Sequence, residues 1–292
     1  MAIPLRLNVT RCTIASWLIC LSLQIVPLHT VRGDEPAVRL LPTAFTLSGP
    51  AARQSLVLES FSGTIATGQI RGDVKFTSSD PSIVKIEEGR AVGVANGKAV
   101  ITAMAGDRRA DCEVTVVAMD QPFAWSFRNH VESVLSKAGC NSGACHGALA
   151  GKKGFRLSLG AFDPVSDYFY ITRQARSRRV VPSDPGRSLV LTKPTGAVPH
   201  KGGVRFGVDS PEYEVLAQWI AAGAPPVSED DPRLLRLEIL PARSVLVPGC
   251  EQQILVRAHF SDLHSEDVTR WVKFTSTNES VASVDPLGKV LV

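Results

Sequence analysis

Apolar and polar residues alternate with a period of two over much of the chain. Around residue 100, Val100, Thr102 and Met104 fall on one side, and Ile101 and Ala103 fall on the other. This period places successive side chains on opposite faces of a β-strand. Short turn-forming segments, at 79–81 and 96–97, separate runs of this kind. Several short strands without helical periodicity predict a β-sandwich over residues 38–118.

The same pattern occurs a second time near the end of the chain. Leu41-Pro42 matches Leu240-Pro241, Gln54-Ser55-Leu56-Val57 matches Gln253-Ile254-Leu255-Val256, and after a one-residue slip Val74-Lys75-Phe76-Thr77-Ser78 matches Val272-Lys273-Phe274-Thr275-Ser276. An internal repeat of this kind indicates two units of the same fold. A second sandwich is therefore predicted over residues 234–292.

The second copy stops before the pattern is complete. It reaches the equivalent of residues 91–93, and no segment corresponds to residues 99–117 of the first copy. A sandwich without its last strands has unpaired edges and an open core. We therefore expect this second sandwich to be partial and poorly stable by itself, and the sequence to belong to a longer protein with further C-terminal domains.

Three segments of the first copy carry a family resemblance. They are FTSSDPSIV at residues 76–84, GRAVGV at 89–94 and GKAVITA at 97–103. The stretch of residues 38–118 resembles the group-two bacterial immunoglobulin-like (Big) domains. This resemblance implies an immunoglobulin-like β-sandwich.

Residues 122–228, between the two copies, have a helical pattern instead. Residues 127–138 place Val131, Val134 and Leu135 on one face, which predicts an amphipathic helix. A second helix is predicted over residues 211–222, with Pro211 at its start and Gly223 after its end. The expected architecture is thus multidomain, with a mainly α-helical domain between a complete and a partial sandwich.

Composition and the N-terminus restrict where the protein acts. The 292 residues carry a formal charge of +4, with 44% hydrophobic and 21% charged residues, so the balance does not favour nucleic acid as a partner. A short basic cluster, Arg173, Arg176, Arg178 and Arg179, is interpreted as a solvated face. Residues 1–33 combine a basic start, an apolar run and small residues before Asp34, which predicts a secretory signal and an exported protein, in the periplasm or at the cell surface. The apolar run is short for a membrane span, and no other span is expected.

The stretch Cys140-Asn141-Ser142-Gly143-Ala144-Cys145-His146 carries the candidate chemistry. Two thiols followed at once by an imidazole is the arrangement of c-type haem attachment, with thioethers to the porphyrin and the histidine under the iron. Four residues separate the cysteines here, where the usual motif has two. Cys112, which alternates with Val114 and Val116, and Cys250 are interpreted as small buried apolar residues.

The helical region resembles the planctomycete-type cytochrome c domain that accompanies Big domains in large exported proteins. The segments VLSKAGCNSGACHG at 134–147, GKKGFRLSL at 151–159, PHKGG at 199–203 and WIAAGAP at 219–225 carry the resemblance. It implies haem c, with Cys140 and Cys145 as thioether anchors and His146 as the proximal iron ligand. His200 is the candidate distal ligand in the loop where that family has its sixth ligand, although an exposed loop histidine is an equal alternative.

Other interpretations of these residues stay open. A disulfide between Cys140 and Cys145 suits an oxidising compartment. A zinc site would need all four of Cys140, Cys145, His146 and His200 as ligands. The adjacent Cys and His side chains are poorly placed to bind one tetrahedral ion together. A cysteine nucleophile activated by His146 is disfavoured because adjacent side chains rarely align for proton transfer. His130 is interpreted as a packing or surface residue, and His259 and His264 are expected to face solvent.

The helical region also supplies surroundings suited to a porphyrin. Its large apolar residues are expected to form a wall that excludes water: Phe155, Leu157, Leu159, Phe162, Tyr168, Phe169, Trp219 and Ile220. Three basic residues, Arg156, Lys193 and Lys201, are candidates to pair with propionates. Two glycines, Gly202 and Gly203, are expected to let the backbone pass close to the macrocycle.

The expected function is one-electron transfer through a covalently held haem, with the sandwiches as spacers or docking surfaces. If both axial positions are filled, the iron has no vacancy for a substrate, so a carrier is favoured over a catalyst. The redox partner is not identified by the sequence. The alternative is a non-catalytic adhesion or scaffold protein of the cell surface with a Cys140–Cys145 disulfide.

Overall fold

Alternating apolar residues build a first β-sandwich in the computed structural model, which describes residues 37–123 and 125–292. The predicted signal at residues 1–33 lies outside them. The strands are β1 (Ala37–Leu41), β2 (Ala44–Ser48), β3 (Arg53–Ser55), β4 (Val57–Ser62), β5 (Ile65–Gln69), β6 (Lys75–Ser78), β7 (Val84–Glu87), β8 (Arg90–Gly93), β9 (Gly97–Ala105) and β10 (Arg108–Val117). They form sheets β1-β4-β5, β3-β8-β7 and β2-β10-β9-β6, with β2 parallel to β10. The prediction of an immunoglobulin-like sandwich is confirmed.

The period-two pattern also predicts which side chains form the core of this sandwich. Ile101 and Ala103 are fully buried, whereas Val100 and Met104 on the other face are exposed. Cys112 pairs with Ile101 in the β9–β10 register and is buried, as predicted. Burial of alternate residues on one face is what drives two sheets together.

The second copy forms only part of this architecture. Its strands are β11 (Leu234–Leu240), β12 (Glu251–Gln253), β13 (Leu255–Phe260), β14 (Ser265–Asp267), β15 (Ser283–Val284) and β16 (Lys289–Leu291). The sheet β11-β13-β14 repeats β1-β4-β5, and β12-β16-β15 repeats β3-β8-β7. Within the described residues, the four-stranded sheet β2-β10-β9-β6 has no counterpart in this copy.

The structure corrects the register of the repeat by one residue over part of its length. The Leu56 amide donates to Gly89 at 3.2 Å, and the equivalent amide in the second copy is that of Ile254, which donates to Gly288 at 2.9 Å. The sequence match had paired Leu56 with Leu255. The one-residue slip therefore lies before β12, and not between residues 256 and 272 where the sequence match placed it. It escaped the sequence comparison because Leu-Val and Ile-Leu are interchangeable apolar pairs.

The two copies contact each other reciprocally. The Ser55 amide on β3 donates to the Asp267 carboxylate on β14 at 2.7 Å, and the equivalent amide, of Gln253 on β12, donates to the Gln69 side chain on β5 at 2.8 Å. The Ala66 amide donates to the Arg243 carbonyl at 3.0 Å, and the Ala66 carbonyl accepts from the Val245 amide at 2.9 Å. The same pair of strands is thus used by both copies, as in an isologous interface between two subunits.

The region between the copies holds the helices of the described chain. A π-helical turn (Phe127–Val131) continues into α1 (Glu132–Lys137), followed by α2 (Pro164–Thr172), α3 (Leu189–Thr192) and α4 (Pro211–Ala221). Ser126 and Ser210 accept hydrogen bonds from the first turns of the first and last helices, which confirms both predicted helix starts. The chain as a whole is mostly β, and these short helices are separated by long irregular segments, so the expected mainly α-helical domain is not supported.

The first and last of these helices pack against each other. The Phe127 and Trp219 rings lie 5.4 Å apart, and both side chains are buried. Around them is a separate apolar core that includes Val134, Leu216 and Ile220. This core supports the segment that bears the two cysteines. Within the described residues, none of the helices has the length and apolar character needed to cross a lipid bilayer.

Candidate functional site

The cysteine-containing loop begins where α1 ends. Gly139 takes a left-handed conformation, with φ of 76°, and the Cys140 amide then donates to Leu135 at 2.8 Å. A glycine at this position ends a helix without the steric cost that a side chain would meet. Cys140 is thereby placed directly under the helix, in the core of the helical region.

The loop is closed by its own backbone. The His146 amide donates to the Cys140 carbonyl at 2.9 Å, so the two ends of the motif are joined despite the longer spacing between the cysteines. A side chain at Gly147 would place its Cβ 2.0 Å from the Asn141 carbonyl, so only glycine fits there. The buried Asn141 side chain donates to Ser136 at 2.7 Å and fastens the loop to α1.

Both cysteines of the motif are buried and line one cavity. Each is a free thiol, and no bond joins their sulfurs in the structure. Burial raises the pKa of Cys140 to about 11, which keeps this thiol protonated and disfavours its use as a nucleophile.

The imidazole of His146 is fixed in one orientation. Its Nδ1 lies 3.1 Å from the Phe155 carbonyl, and the two rings are 4.5 Å apart. A carbonyl can only accept, so Nδ1 carries the proton and Nε2 keeps a free electron pair. Burial lowers the pKa of His146, which favours this neutral form.

His200 is held in the same way on the opposite loop. Its Nδ1 lies 3.0 Å from the Gly203 carbonyl, so its Nε2 also keeps a free electron pair. A Cβ at Gly202 would lie 2.8 Å from the His200 ring, and Gly203 has φ of 73°. The two glycines were expected to let the backbone approach a macrocycle. In the structure they are required instead by the turn that folds around His200.

The structure brings the two predicted ligands to the same cavity. The rings of His146 and His200 are nearly parallel, with an interplanar angle of 7°, and their centres are 6.4 Å apart. Among the residues described, no group of three or more His, Cys, Asp or Glu is arranged to hold a metal ion. The four-ligand zinc set of Cys140, Cys145, His146 and His200 is therefore not assembled.

The cavity has a volume of about 910 Å³, and the charged residues that line it are all basic. Leu135, Ile171 and Leu189 contribute apolar wall. Its basic lining residues are Lys152, Lys153, Arg178, Arg179, Lys193, Lys201 and Arg205, and none of the described residues that line it is acidic. A cavity of this size and lining suits a large, mainly apolar ligand that carries negative charge.

Two expectations about the basic residues change. The Arg173–Arg179 cluster was interpreted as a solvated face, but Arg178 and Arg179 line the cavity, and Arg179 is only 5% exposed. Of the candidate propionate partners, Lys193 and Lys201 line the cavity, whereas Arg156 stacks on Tyr170 outside it. The sequence could not show which of these basic residues line the cavity, because the side chains of consecutive residues in an irregular loop follow no regular alternation.

The expected apolar wall is correct only in part. Phe155 lines the cavity, and Leu157, Trp219 and Ile220 are buried in the adjoining core, against which Tyr168 packs. Three of the predicted residues are instead exposed: Leu159 at 60%, Phe162 at 79% and Phe169 at 54%. Leu135, Ile171, Leu189 and Val190 take the place of these residues. Leu135 was named from the sequence only as part of the apolar face of the first helix, and the other three were not singled out.

His130, His259 and His264 each contact a carboxylate, and the contact of His130 joins two regions of the chain. His130 lies 3.2 Å from Glu266 of the second copy, which confirms its interpretation as a packing residue. His264 also contacts Glu266, at 3.2 Å, and His259 contacts Glu238 at 2.8 Å. The expectation that His259 and His264 face solvent is wrong, because both are half-buried against carboxylates.

Comparison with known proteins adds little. No protein-family profile and no curated protein matches the chain. A structure of domains 5–6 of the S-layer protein SbsC is similar over 29% of this chain and 44% of its own length, with 20% identity and a TM-score of 0.22. The intimin–Tir90 complex is similar over 39% of this chain and 64% of that chain, with 14% identity and a TM-score of 0.17. The chain thus spans less than two thirds of either structure, and TM-scores this low are below those of chains that share an overall fold.

Proposed function

We propose that this chain is an exported c-type cytochrome that binds haem c (iron) covalently and transfers single electrons. Cys140 and Cys145 are the thioether anchors, His146 is the proximal ligand and His200 the distal ligand. Residues 122–228 are then the cytochrome domain, and the sandwiches on either side are spacers or docking surfaces for a redox partner.

The pairing of the two imidazoles carries this proposal. Imidazole nitrogens bind metals at about 2.0 Å, so two histidines that would hold one metal ion must lie close together. The rings of His146 and His200 are 6.4 Å apart, and each has Nδ1 committed to a carbonyl. This second bond is the usual way in which a protein orients a metal-binding histidine.

The walls of the cavity support the same proposal. Phe155 and the aliphatic residues exclude water, and the basic rim provides partners for carboxylates. A haem held in this cavity would supply one-electron exchange between ferric and ferrous iron. If His146 and His200 both hold its iron, they would leave no position for a substrate, which favours a carrier over a catalyst.

Haem attachment tests the proposal directly. The full chain, expressed with its signal in a host competent for c-type maturation, is expected to give a pyridine haemochrome spectrum of thioether-linked haem. Replacing both Cys140 and Cys145 by alanine removes the covalent link, whereas Cys112→Ala leaves it intact. A mature protein that lacks haem and has lost two hydrogens through a Cys140–Cys145 disulfide would instead identify a surface scaffold or adhesion protein.

Replacement of His200 tests the distal position. His200→Ala is expected to convert a low-spin ferric spectrum into a high-spin one, because one strong-field ligand is lost, while the thioether link remains. The matched control is His259→Ala, which removes an imidazole from the second copy and leaves the spectrum unchanged. An unchanged spectrum in His200→Ala would exclude His200 as a ligand.

A further inference from the structure

Arg179 is a buried cation without an anionic partner in the protein. Its residue is 5% exposed, and it lies on the inner wall of the cavity that contains His146 and His200. The ion pairs within 4.0 Å that the described residues form do not include it. Removing a charge from water without a partner costs several kcal/mol, so such residues are rare unless something compensates them.

The guanidinium of Arg179 is held rigidly by the backbone around it. Nη1 donates to the carbonyls of Tyr170 and Gln174 at 2.8 and 3.3 Å, and Nη2 donates to Gly154 at 3.0 Å. The group also lies 4.5 Å over the Phe155 ring. These bonds use only part of the donors of a guanidinium, and the others have no partner among the described residues.

The surroundings of Arg179 do not neutralise it. The described residues that line the cavity include six further basic side chains and no acidic one. The neighbouring Arg178 is exposed, so solvent screens its charge, whereas Arg179 is buried and its charge is screened less. Burial, and then repulsion from Arg178, lowers the pKa of Arg179, as expected for a cation that lacks its counter-ion.

We propose that Arg179 binds a carboxylate of the group that occupies this cavity and so selects a tetrapyrrole with acidic side chains over a neutral one. The inference rests on the proposed function, and it adds the residue that recognises the charged edge of the ligand. The carboxylate neutralises the buried guanidinium and accepts its remaining N–H groups, which a rigid planar donor recognises well. The more exposed lysines and arginines of the rim contribute less because water screens them.

Binding of metal-free porphyrins tests this without electron transfer. The full chain is made in a host without c-type maturation and titrated with protoporphyrin IX and with its dimethyl ester, followed by porphyrin fluorescence. The free acid is expected to bind at least roughly tenfold more tightly than the ester. Arg179→Gln removes most of this preference, and Arg179→Lys, which keeps the charge but not the planar donor, retains part of it.

Arg178→Gln is the matched control, since it makes the same charge change one residue away on the same cavity. It is expected to lower the preference by less than about threefold because Arg178 is exposed. Equal binding of acid and ester by the unmodified chain, or an equal loss in Arg178→Gln and Arg179→Gln, would overturn the role of Arg179 and leave the proposed function standing. Failure of both porphyrins to bind would overturn the role of Arg179, whereas the haemochrome spectrum of the matured chain decides the proposed function separately. If Arg179→Gln does not fold, the acid-to-ester ratios of the unmodified chain and Arg179→Lys decide.

Discussion

The two copies of the sandwich repeat form equivalent strands but bury them differently. Leu40 on β1 pairs with Leu58, and Ile239 on β11 pairs with Val256 in the equivalent register. Leu40 is 1% exposed, whereas Ile239 is 52% exposed. The sheet β2-β10-β9-β6 covers the first face, and no described residues cover the second in that way. A strand can therefore form from its own alternating sequence and the hydrogen bonds of the neighbouring strand. Burial of its apolar face requires a second sheet.

The second copy is held in place by contacts with the other regions. None of the clusters of buried apolar residues among the described residues is centred on it. Arg270 pairs with Glu212 on α4 at 2.9 Å, and the Lys137 side chain donates to the Val272 carbonyl at 2.5 Å. Polar bonds to the helical region and to the first copy therefore replace part of the missing core.

The difference between the copies predicts unequal costs for the same truncation. Leu40→Ala is expected to destabilise the full chain by about 3 kcal/mol, because it removes methyl groups from a filled core. Ile239→Ala is expected to cost less than about 1 kcal/mol, since half of this side chain is already in water. Urea unfolding followed by circular dichroism measures both. An equal loss from the two variants would show that the face of Ile239 is covered in solution.

The local patterns of this fold could be predicted, whereas the long-range arrangement could not. Alternation at Ile101 and Ala103 and the serine and proline at the start of α4 each act within a few residues, so the sequence contains them in full. The reciprocal contact of Ser55 with Asp267 joins residues 212 positions apart. Nothing in either segment alone indicates this partner, because a polar residue at a strand end is equally suited to solvent.

The reciprocal interface predicts a second, smaller asymmetry. Asp267→Ala removes a carboxylate that accepts from the Ser55 amide at 2.7 Å and from Thr269 at 2.6 Å, and it is expected to cost about 2 kcal/mol. Gln69→Ala removes the equivalent acceptor of the Gln253 amide, at 2.8 Å, but that acceptor is neutral and the expected cost is about 1 kcal/mol. The free energies of unfolding in urea compare them. A larger loss for Gln69→Ala would contradict the equivalence of the two contacts.

Part of the candidate site could likewise be predicted from neighbouring residues, and part of it depends on residues that are distant in the sequence. The adjacency of Cys145 and His146 is visible in the sequence, and the glycine turn around His200 marked that loop. The inner position of Arg179 was missed, because its surroundings are set by the carbonyls of Tyr170 and Gly154 and not by its sequence neighbours. A basic cluster of this composition is usually solvated, and only the three-dimensional fold separates its buried member from the exposed ones.

A buried acid gives a third predicted difference between the copies, in how stability depends on pH. Glu59 on β4 is fully buried at the interface, where the Gln252 side chain donates to it, and its equivalent in the second copy is Arg257. Burial raises the pKa of Glu59 to about 7, above the value near 4.5 of an unfolded chain. The folded protein therefore holds the proton more tightly, and the stability gained from it declines as the pH rises from about 4.5 to about 7. Arg257 stays charged throughout this range and adds no such dependence.

Replacement of Glu59 should remove this decline. Between pH 5 and pH 8 the unmodified chain is expected to lose on the order of 1–2 kcal/mol of stability through Glu59, after allowance for screening. Glu59→Gln keeps the shape and the neutral state, so its melting temperature should fall less over the same range and exceed that of the unmodified chain at pH 8. The exposed Glu87→Gln is the control and should follow the unmodified chain. If Glu59→Gln showed the unmodified pH dependence, the first copy would owe its pH response to other groups, and the buried carboxyl would not distinguish it from the second.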